Sequence, residues 1–240
     1  MASHLSRIFF ALVIGSTACA GTRATGRAHE LDAVTRAAMD LIEYRRLTAS
    51  DFRAPEAPPE IRASKHEVGA YSCLTLGHED SLAVIDVTER LSAPERDEAR
   101  RTYRADLSQV AFQAYLDRGC SWINPQGTLP PDYVLEHEQL HFALFELEAR
   151  RLNADPEAVR REVAATDSDP DVAFERAKVK LGRLLERSLV RLNQQNDDLD
   201  RETSFGHHPR EQTQWRERVE AALDGDRAEP ALPVPAAPAP

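Results

Sequence analysis

The sequence lacks a basic region. Acidic residues outnumber basic ones by 40 to 30, which gives a formal net charge of -10, and the arginines are scattered among the acids. A protein that binds nucleic acid or an anionic membrane face needs clustered cations to neutralise phosphates. The charge therefore argues against nucleic acid and against an anionic membrane face as partners.

The apolar run near the N-terminus, IFFALVIG at 8–15, is too short to cross a bilayer as a mature helix. It follows Arg7 and the free amino terminus, so it predicts an export signal over residues 1–19. Small residues before Cys19 favour a lipoprotein signal with Cys19 as the lipidated residue. The alternative is ordinary cleavage after Ala20. Both place the chain in the cell envelope or outside the cell, with a membrane reached only through the Cys19 anchor.

Cysteine is scarce, with three residues in the chain. If Cys19 is removed or lipidated, Cys73 and Cys120 remain as an even pair in an oxidising compartment. We expect them to form a disulfide; the alternative is two buried free thiols.

The chain also lacks internal repeats, and its composition, 42% hydrophobic and 29% charged, suits one soluble domain. We place that domain at 28–224, followed by a Pro/Ala-rich tail at 225–240 that we expect to be disordered.

The first half of this domain contains strand patterns and the second half helical ones. Residues 29–47 have a helical period, while 67–76 and 81–88 are typical of strands. Residues 106–119 fit either a helix or a strand. Helices are predicted to start at Pro131, Pro156 and Pro170, and a last one to end at Gly225. The expected fold class is α+β.

One helical segment contains the pattern H-E-x-x-H, formed by His137, Glu138 and His141. Residues four apart lie on one face of a helix, so both imidazoles can bind one zinc ion. Glu138 is turned about 100° away, where it can take a proton from a zinc-bound water without being a ligand itself. The alternative is a solvated charged face, because the pattern arises by chance in roughly 2% of such chains.

A third ligand has to come from another segment. Glu148 is on the same stripe as His141, but seven residues along a helix place it about 10 Å further down the axis. The candidates are His207 and His208, with Asp200 and Glu202 behind them. The alternative for the two histidines is a polar pair in a loop.

Four segments occur together in an order that resembles a family of bacterial secreted proteins of unknown function, predicted to be zinc-dependent proteases. They are LTASDFRAPEAPP from Leu47, CSWI from Cys120, LEHEQLHF from Leu135 and DRETSFG…QTQW from Asp200 to Trp215.

The resemblance implies that His137 and His141 are ligands and Glu138 the catalytic base. It implies a zincin-like layout with a small mixed sheet, in which 106–119 contains a strand that leads into Ser121 and can hold an extended peptide. One position departs from the family, which has a histidine two residues after the threonine matched by Thr203. This chain has Phe205 there.

Together these observations predict an exported zinc-dependent peptidase acting on a peptide or protein. Zn²⁺ would be held by His137, His141 and His207, with Glu138 as base. The alternative, favoured by Phe205, is a non-catalytic envelope lipoprotein that retains a degenerate metallopeptidase fold.

Overall fold

The fold combines antiparallel sheets with long helices, as the α+β class predicts. A computed structural model describes residues 39–62, 67–77, 83–91 and 101–225, and the backbone of three short strands before them. The strands are β1 Ile8–Phe9, β2 Val13–Thr17, β3 Ala28–His29, β4 Leu41–Glu43, β5 Ala70–Tyr71, β6 Cys73–Gly77, β7 Val84–Leu91, β8 Arg101–Gln109, β9 Gln113–Asp117, β10 Trp122–Ile123 and β11 Ala165–Asp167. The helices are α1 Pro59–Arg62, α2 Pro131–Ala154, α3 Pro156–Val163, α4 Pro170–Thr203 and α5 Pro209–Asp224, with a 3₁₀ turn at Ala49–Asp51.

The strands form three sheets, in the orders β1-β7-β8-β11, β3-β2-β6-β9-β4 and β10-β5. Every pairing between the strands named above is antiparallel. The expectation of a mixed sheet is therefore wrong. The physical reason is that a parallel pair needs a long crossover, whereas β7 and β8 pair directly across a short connection. The zincin-like arrangement stays a prediction.

The ambiguous segment at 106–119 is strand, in β8 and β9. Ala114 and Leu116 of β9 are buried and pair with β6. The helix expected at 29–47 is wrong over β4, which pairs with Tyr115–Asp117 of β9. Pairing with a buried strand outweighs a weak local helical period there. Residues 30–38 lie outside the described part of the chain.

Helix α2 lies at the centre of the molecule. It contacts β5, β6 and β9 as well as α3, α4 and α5. Apolar side chains surround its axis, and Phe142, Leu144 and Phe145 are fully buried. A helix that is apolar on all sides is a buried helix. Polar side chains on α2 are therefore also drawn into the interior.

The predicted helix starts and the last helix end are confirmed. Asp169 caps α4 by accepting the N–H groups of Asp171 and Val172. Helix α5 ends at Gly225, whose N–H donates to the carbonyl of Ala221. Helices α4 and α5 both pack on α2 and bring their own polar residues to it.

The predicted disulfide between Cys73 and Cys120 is confirmed, with an S–S distance of 1.99 Å. It joins the start of β6 to the turn before β10. The Cys73 N–H also donates to the Ser121 hydroxyl at 3.0 Å. Both bonds therefore hold the chain at Cys73, directly after Ser72.

Cys19 and residues 226–240 lie outside the described residues, so lipidation and the disordered tail stay predictions. Of the predicted export signal, only the backbone of β1 and β2 is described. Its removal would leave the sheets β7-β8-β11, β6-β9-β4 and β10-β5, since β3 joins its sheet through β2. Among the described helices, none combines the length and apolar character that a bilayer crossing requires.

We expect loss of the disulfide to destabilise the fold markedly. The bond closes a separation of 47 residues, and the loss of chain entropy in the unfolded state corresponds to about 4 kcal/mol. The Cys73→Ser/Cys120→Ser variant should lose about 2–4 kcal/mol of unfolding free energy in urea titrations. Reductant should destabilise the wild type and leave the variant unchanged. Equal stability of variant and wild type would contradict this.

Candidate metal centre

Three side chains from two helices meet inside the protein. His137 and His141 come from α2, and Asp200 comes from the last turn of α4. Asp200 Oδ1 lies 3.1 Å from Nε2 of His137 and 3.1 Å from Nε2 of His141, and the two nitrogens are 3.2 Å apart. The three residues are only 1–6% exposed. They form a buried group able to hold a metal ion.

The shape of this group matches one face of a tetrahedron. Nitrogen and oxygen ligands about 2.0–2.1 Å from a tetrahedral ion lie about 3.3–3.4 Å from one another. The three distances of 3.1–3.2 Å are only slightly shorter. A small outward movement of each side chain would therefore complete three ligand bonds.

The orientation of His137 is fixed by a carboxamide from α5. Its Nδ1 lies 3.2 Å from Oε1 of Gln212, and Nε2 of Gln212 donates to the carbonyl of Tyr133. Because the amide nitrogen faces a carbonyl, the amide oxygen faces the imidazole and accepts its Nδ1–H. In neutral His137 the lone pair is therefore on Nε2, toward Asp200.

His141 is oriented in the same way from α4. Its Nδ1 lies 2.5 Å from Oδ1 of Asn196, and Nδ2 of Asn196 donates to the carbonyl of Leu192 at 2.6 Å. The Asn196 side chain is completely buried. His141 therefore also directs Nε2 toward Asp200. A histidine that binds a metal through Nε2 usually donates its Nδ1–H to an oxygen acceptor, as both histidines do here.

As a result, the Nε2 lone pairs of the two neutral histidines and the Asp200 oxygen point toward one another with no hydrogen between them. Only a cation can relieve the repulsion among these three atoms. Burial on its own lowers the pKa of His141, but Asp200, Glu138 and Asn196 outweigh it and raise that pKa to about 9. Burial on its own raises the pKa of Asp200, but the two imidazoles hold it well below its usual range. In the metal-free group a proton supplies the positive charge, and a metal ion would displace it.

Glu138 borders the same group without belonging to it. Its carboxylate accepts a 2.5 Å hydrogen bond from the buried hydroxyl of Ser72. A cavity of about 10 Å³ adjoins two of the three ligand residues, and its lining includes His137, Asp200, Glu138, Tyr133 and Phe205. That volume accommodates about one water molecule. A water in this cavity would therefore lie beside Glu138, His137 and Asp200.

The turn after α4 lines this cavity with Phe205 and Gly206. Ser204, Phe205 and Gly206 have successive φ values of 51°, 55° and 83°, a left-handed conformation that is unfavourable for Phe. The Phe205 N–H donates to the Asp200 carbonyl at 2.8 Å, and the Gly206 N–H donates to the Thr203 hydroxyl at 3.2 Å. A Cβ at Gly206 would lie 3.5 Å from the His137 ring. The turn thus holds Asp200 and covers His137 at once.

The structure brings His137, Glu138 and His141 together, as the H-E-x-x-H spacing predicts, but it does not bring His207 to them. His207 is exposed, with Nε2 3.5 Å from the carbonyl of Glu67. The left-handed turn directs the backbone away from the cavity after Gly206. Asp200, which the sequence leaves as an alternative to His207, takes the third place.

His208 and Glu202, the remaining candidates for a third ligand, also lie outside the group. His208 is exposed, and its Nδ1 lies 3.3 Å from the Glu202 carbonyl. The Glu202 carboxylate accepts the indole N–H of Trp215 at 2.8 Å, which ties α5 to α4.

Sequence reasoning missed Ser72, Asn196 and Gln212 as supporting residues. For Asn196 a signal existed, since it continues the inward-facing stripe of α4 and precedes Asp200 by one turn. Ser72 had none, because it reaches Glu138 only through the tertiary fold.

Comparison of the chain with models of known protein families, with curated proteins and with solved structures found no match. The resemblance drawn from the sequence therefore stays a prediction.

The ligand assignment predicts which variants lose the metal. Wild-type protein should bind about one divalent ion per chain, and Asp200→Asn and His141→Ala should each retain only a small fraction of it, because each removes one corner of the site. His207→Ala is the matched control and should keep full occupancy. The measurement is elemental analysis of the purified chains after dialysis. Metal retained by Asp200→Asn but lost from His207→Ala would contradict the assignment.

Proposed function

We propose that this protein is a zinc-dependent peptidase. The observation that carries the proposal is the triangle of His137 Nε2, His141 Nε2 and Asp200 Oδ1 beside Glu138. A catalytic zinc site has three protein ligands and an open fourth coordination position beside a general base. Here the ligands would be two imidazoles and one carboxylate, and the base would be Glu138.

The donor set and the space around it favour zinc over other metals. Two histidines and one carboxylate also suit iron in oxygenases, but that chemistry needs several free positions around an octahedral ion. Here the adjoining cavity holds about 10 Å³, enough for about one water molecule. A four-coordinate ion fits such a site better than a six-coordinate one.

Zinc bound at this site would lower the pKa of a coordinated water toward neutrality and polarise a carbonyl group. Glu138 then accepts the proton of the water as its oxygen forms a bond to the carbonyl carbon. Glu138 returns that proton to the leaving nitrogen when the C–N bond breaks. The Ser72 hydroxyl donates to one carboxylate oxygen of Glu138. It thereby holds the carboxylate in place and leaves the second oxygen to handle the proton.

A peptide suits the surroundings of this site because a strand borders the cavity. Val68, Gly69 and Ala70 line it, and β5 pairs with β10 on one side. The Gly69 carbonyl accepts the N–H of Asn124. Since residues of an antiparallel pair alternate in direction, the N–H and C=O of Ala70 point away from β10. Ala70 is 2% exposed, so an extended peptide could pair there, with one of its carbonyls at the cavity, once this edge is uncovered.

A second candidate is a metal-binding protein without catalysis, in the cell envelope as the sequence predicts. The observation that favours it is the closure of the site. Each candidate metal-binding residue is at most 6% exposed, and Phe205 is among the residues that line the cavity. Glu138 itself is 2% exposed, so a substrate would reach it only after the surrounding chain moves. Metal bound with full occupancy but no hydrolysis would favour this candidate.

The peptidase proposal predicts a specific effect of Glu138→Gln. The amide cannot accept the proton, so hydrolysis of an unfolded protein such as casein should fall by about 10²–10⁴-fold. Bound zinc should be unchanged, because Glu138 is not a ligand. The matched control is Glu136→Gln, which removes a partly exposed carboxylate that lies on the same helix and pairs with Arg216. It should leave activity within about twofold.

Two outcomes would contradict the proposal. Equal activity in wild type and Glu138→Gln would mean that the hydrolysis comes from elsewhere. Zinc-loaded wild type without measurable activity on any unfolded protein would leave the second candidate.

A further inference from the structure

We propose that the phenol of Tyr133 donates a hydrogen bond to the carbonyl oxygen of the substrate as that oxygen becomes negative during hydrolysis. This inference rests on the proposed peptidase function. It adds to that function a catalytic residue that lies outside the H-E-x-x-H pattern.

The first observation is a buried hydroxyl without a partner. Within the described part of the chain, the Tyr133 Oη is shielded from solvent, and no protein atom forms a hydrogen bond with it. Nearly all buried polar atoms in folded proteins are paired, so such an atom needs an explanation. Phenylalanine would fill the same space without this unfavourable burial. A ligand oxygen that arrives during the reaction provides the missing partner.

The second observation is the position of Tyr133 in the site. It precedes His137 by one helical turn on α2 and lines the same cavity as His137, Glu138 and Asp200. Its backbone carbonyl accepts the side-chain N–H of Gln212, the residue that orients His137. The same carboxamide thus ties the backbone at Tyr133 to the His137 ring.

The phenol is also in the protonation state that a donor needs. Burial, reinforced by the carboxylates of Glu136 and Glu211, raises the pKa of Tyr133 above its ordinary value. The O–H therefore persists through neutral and moderately alkaline pH. A donor that is already in place costs no rearrangement when charge develops, which is the basis of oxyanion stabilisation.

The step balances without any further reactant. The oxygen of the water forms a bond to the carbonyl carbon, and the π electron pair of the C=O bond moves to the carbonyl oxygen. Tyr133 donates a hydrogen bond to that oxygen but keeps its proton. The proton of the water passes to Glu138 and then to the nitrogen as the C–N bond breaks and the carbonyl re-forms.

The test is Tyr133→Phe, which removes one oxygen atom and keeps the ring. Tyr103→Phe is the matched control, since Tyr103 is a partly buried tyrosine of β8 that does not line the cavity. Zinc content, thermal unfolding and kcat and KM on the quenched peptide that the wild type cleaves best are measured for all three proteins. Binding of N-phosphoryl-leucinamide, whose tetrahedral phosphoryl group resembles the intermediate, is measured by calorimetry.

We expect Tyr133→Phe to lower kcat by about 10²–10³-fold with little change in KM, which is the effect of losing one oxyanion donor. Zinc content and thermal stability should stay at wild-type values, and the phosphoryl compound should bind at least about tenfold more weakly. Tyr103→Phe should match the wild type throughout.

Each contrary result points to one failure. If the wild type cleaves peptide and Tyr133→Phe cleaves it equally well, the role of Tyr133 is overturned and the peptidase stands. If the wild type binds the phosphoryl compound without cleaving peptide, the peptidase proposal fails. In that case weaker binding of the compound to Tyr133→Phe would show that the phenol faces the metal, and equal binding would show that it does not. A wild type that does neither overturns both.

Discussion

Two imidazole nitrogens and a carboxylate oxygen are held about 3 Å apart, with their lone pairs toward one point. Such an arrangement is repulsive unless a cation occupies that point, because none of the three atoms carries a hydrogen in the tautomers that Asn196 and Gln212 impose. The cation is either a proton, which the raised pKa of His141 reflects, or a metal ion. The rest of the site keeps these three atoms in place. A buried, fully oriented group of this kind is much more specific than two histidines one turn apart.

Several parts of the fold hold the three ligand residues and Glu138 in position. Helix α2 supplies both histidines and Glu138 from the interior of the molecule, because apolar residues surround its axis. The disulfide fixes the chain next to Ser72, and Ser72 holds Glu138. The left-handed turn after α4 holds Asp200 by its backbone and covers His137 with Gly206. The residues of the proposed reaction are therefore difficult to separate from structural ones by mutation, unless bound metal is measured beside each activity.

The features of the fold and of the candidate metal site that have a local cause could be predicted from the sequence. The spacing of His137 and His141 determines their common face, and proline positions mark the helix starts. The even pair of cysteines predicts the disulfide. The third ligand could not be predicted in the same way. Residue type alone favoured a histidine, yet the turn at Ser204–Gly206 leaves His207 exposed.

The polar residues on the buried stripe of α4 are a better indication of the third ligand than residue type. Asn196, Asp200 and Thr203 continue the periodicity set by Leu185 and Leu192, so they must face the core. A buried Asp needs a partner, and the two histidines are that partner. By contrast, β4 could not be predicted from its own sequence, because three residues acquire strand structure only by pairing with β9.

The most direct test of the central claim is X-ray absorption at the zinc K-edge on zinc-loaded protein. The account predicts a first shell of about four nitrogen and oxygen atoms at about 2.0–2.1 Å, with the outer-shell scattering of two imidazoles and no sulfur at about 2.3 Å. A first shell that contains sulfur, a six-coordinate shell of oxygen alone, or a chain that binds no zinc would contradict it.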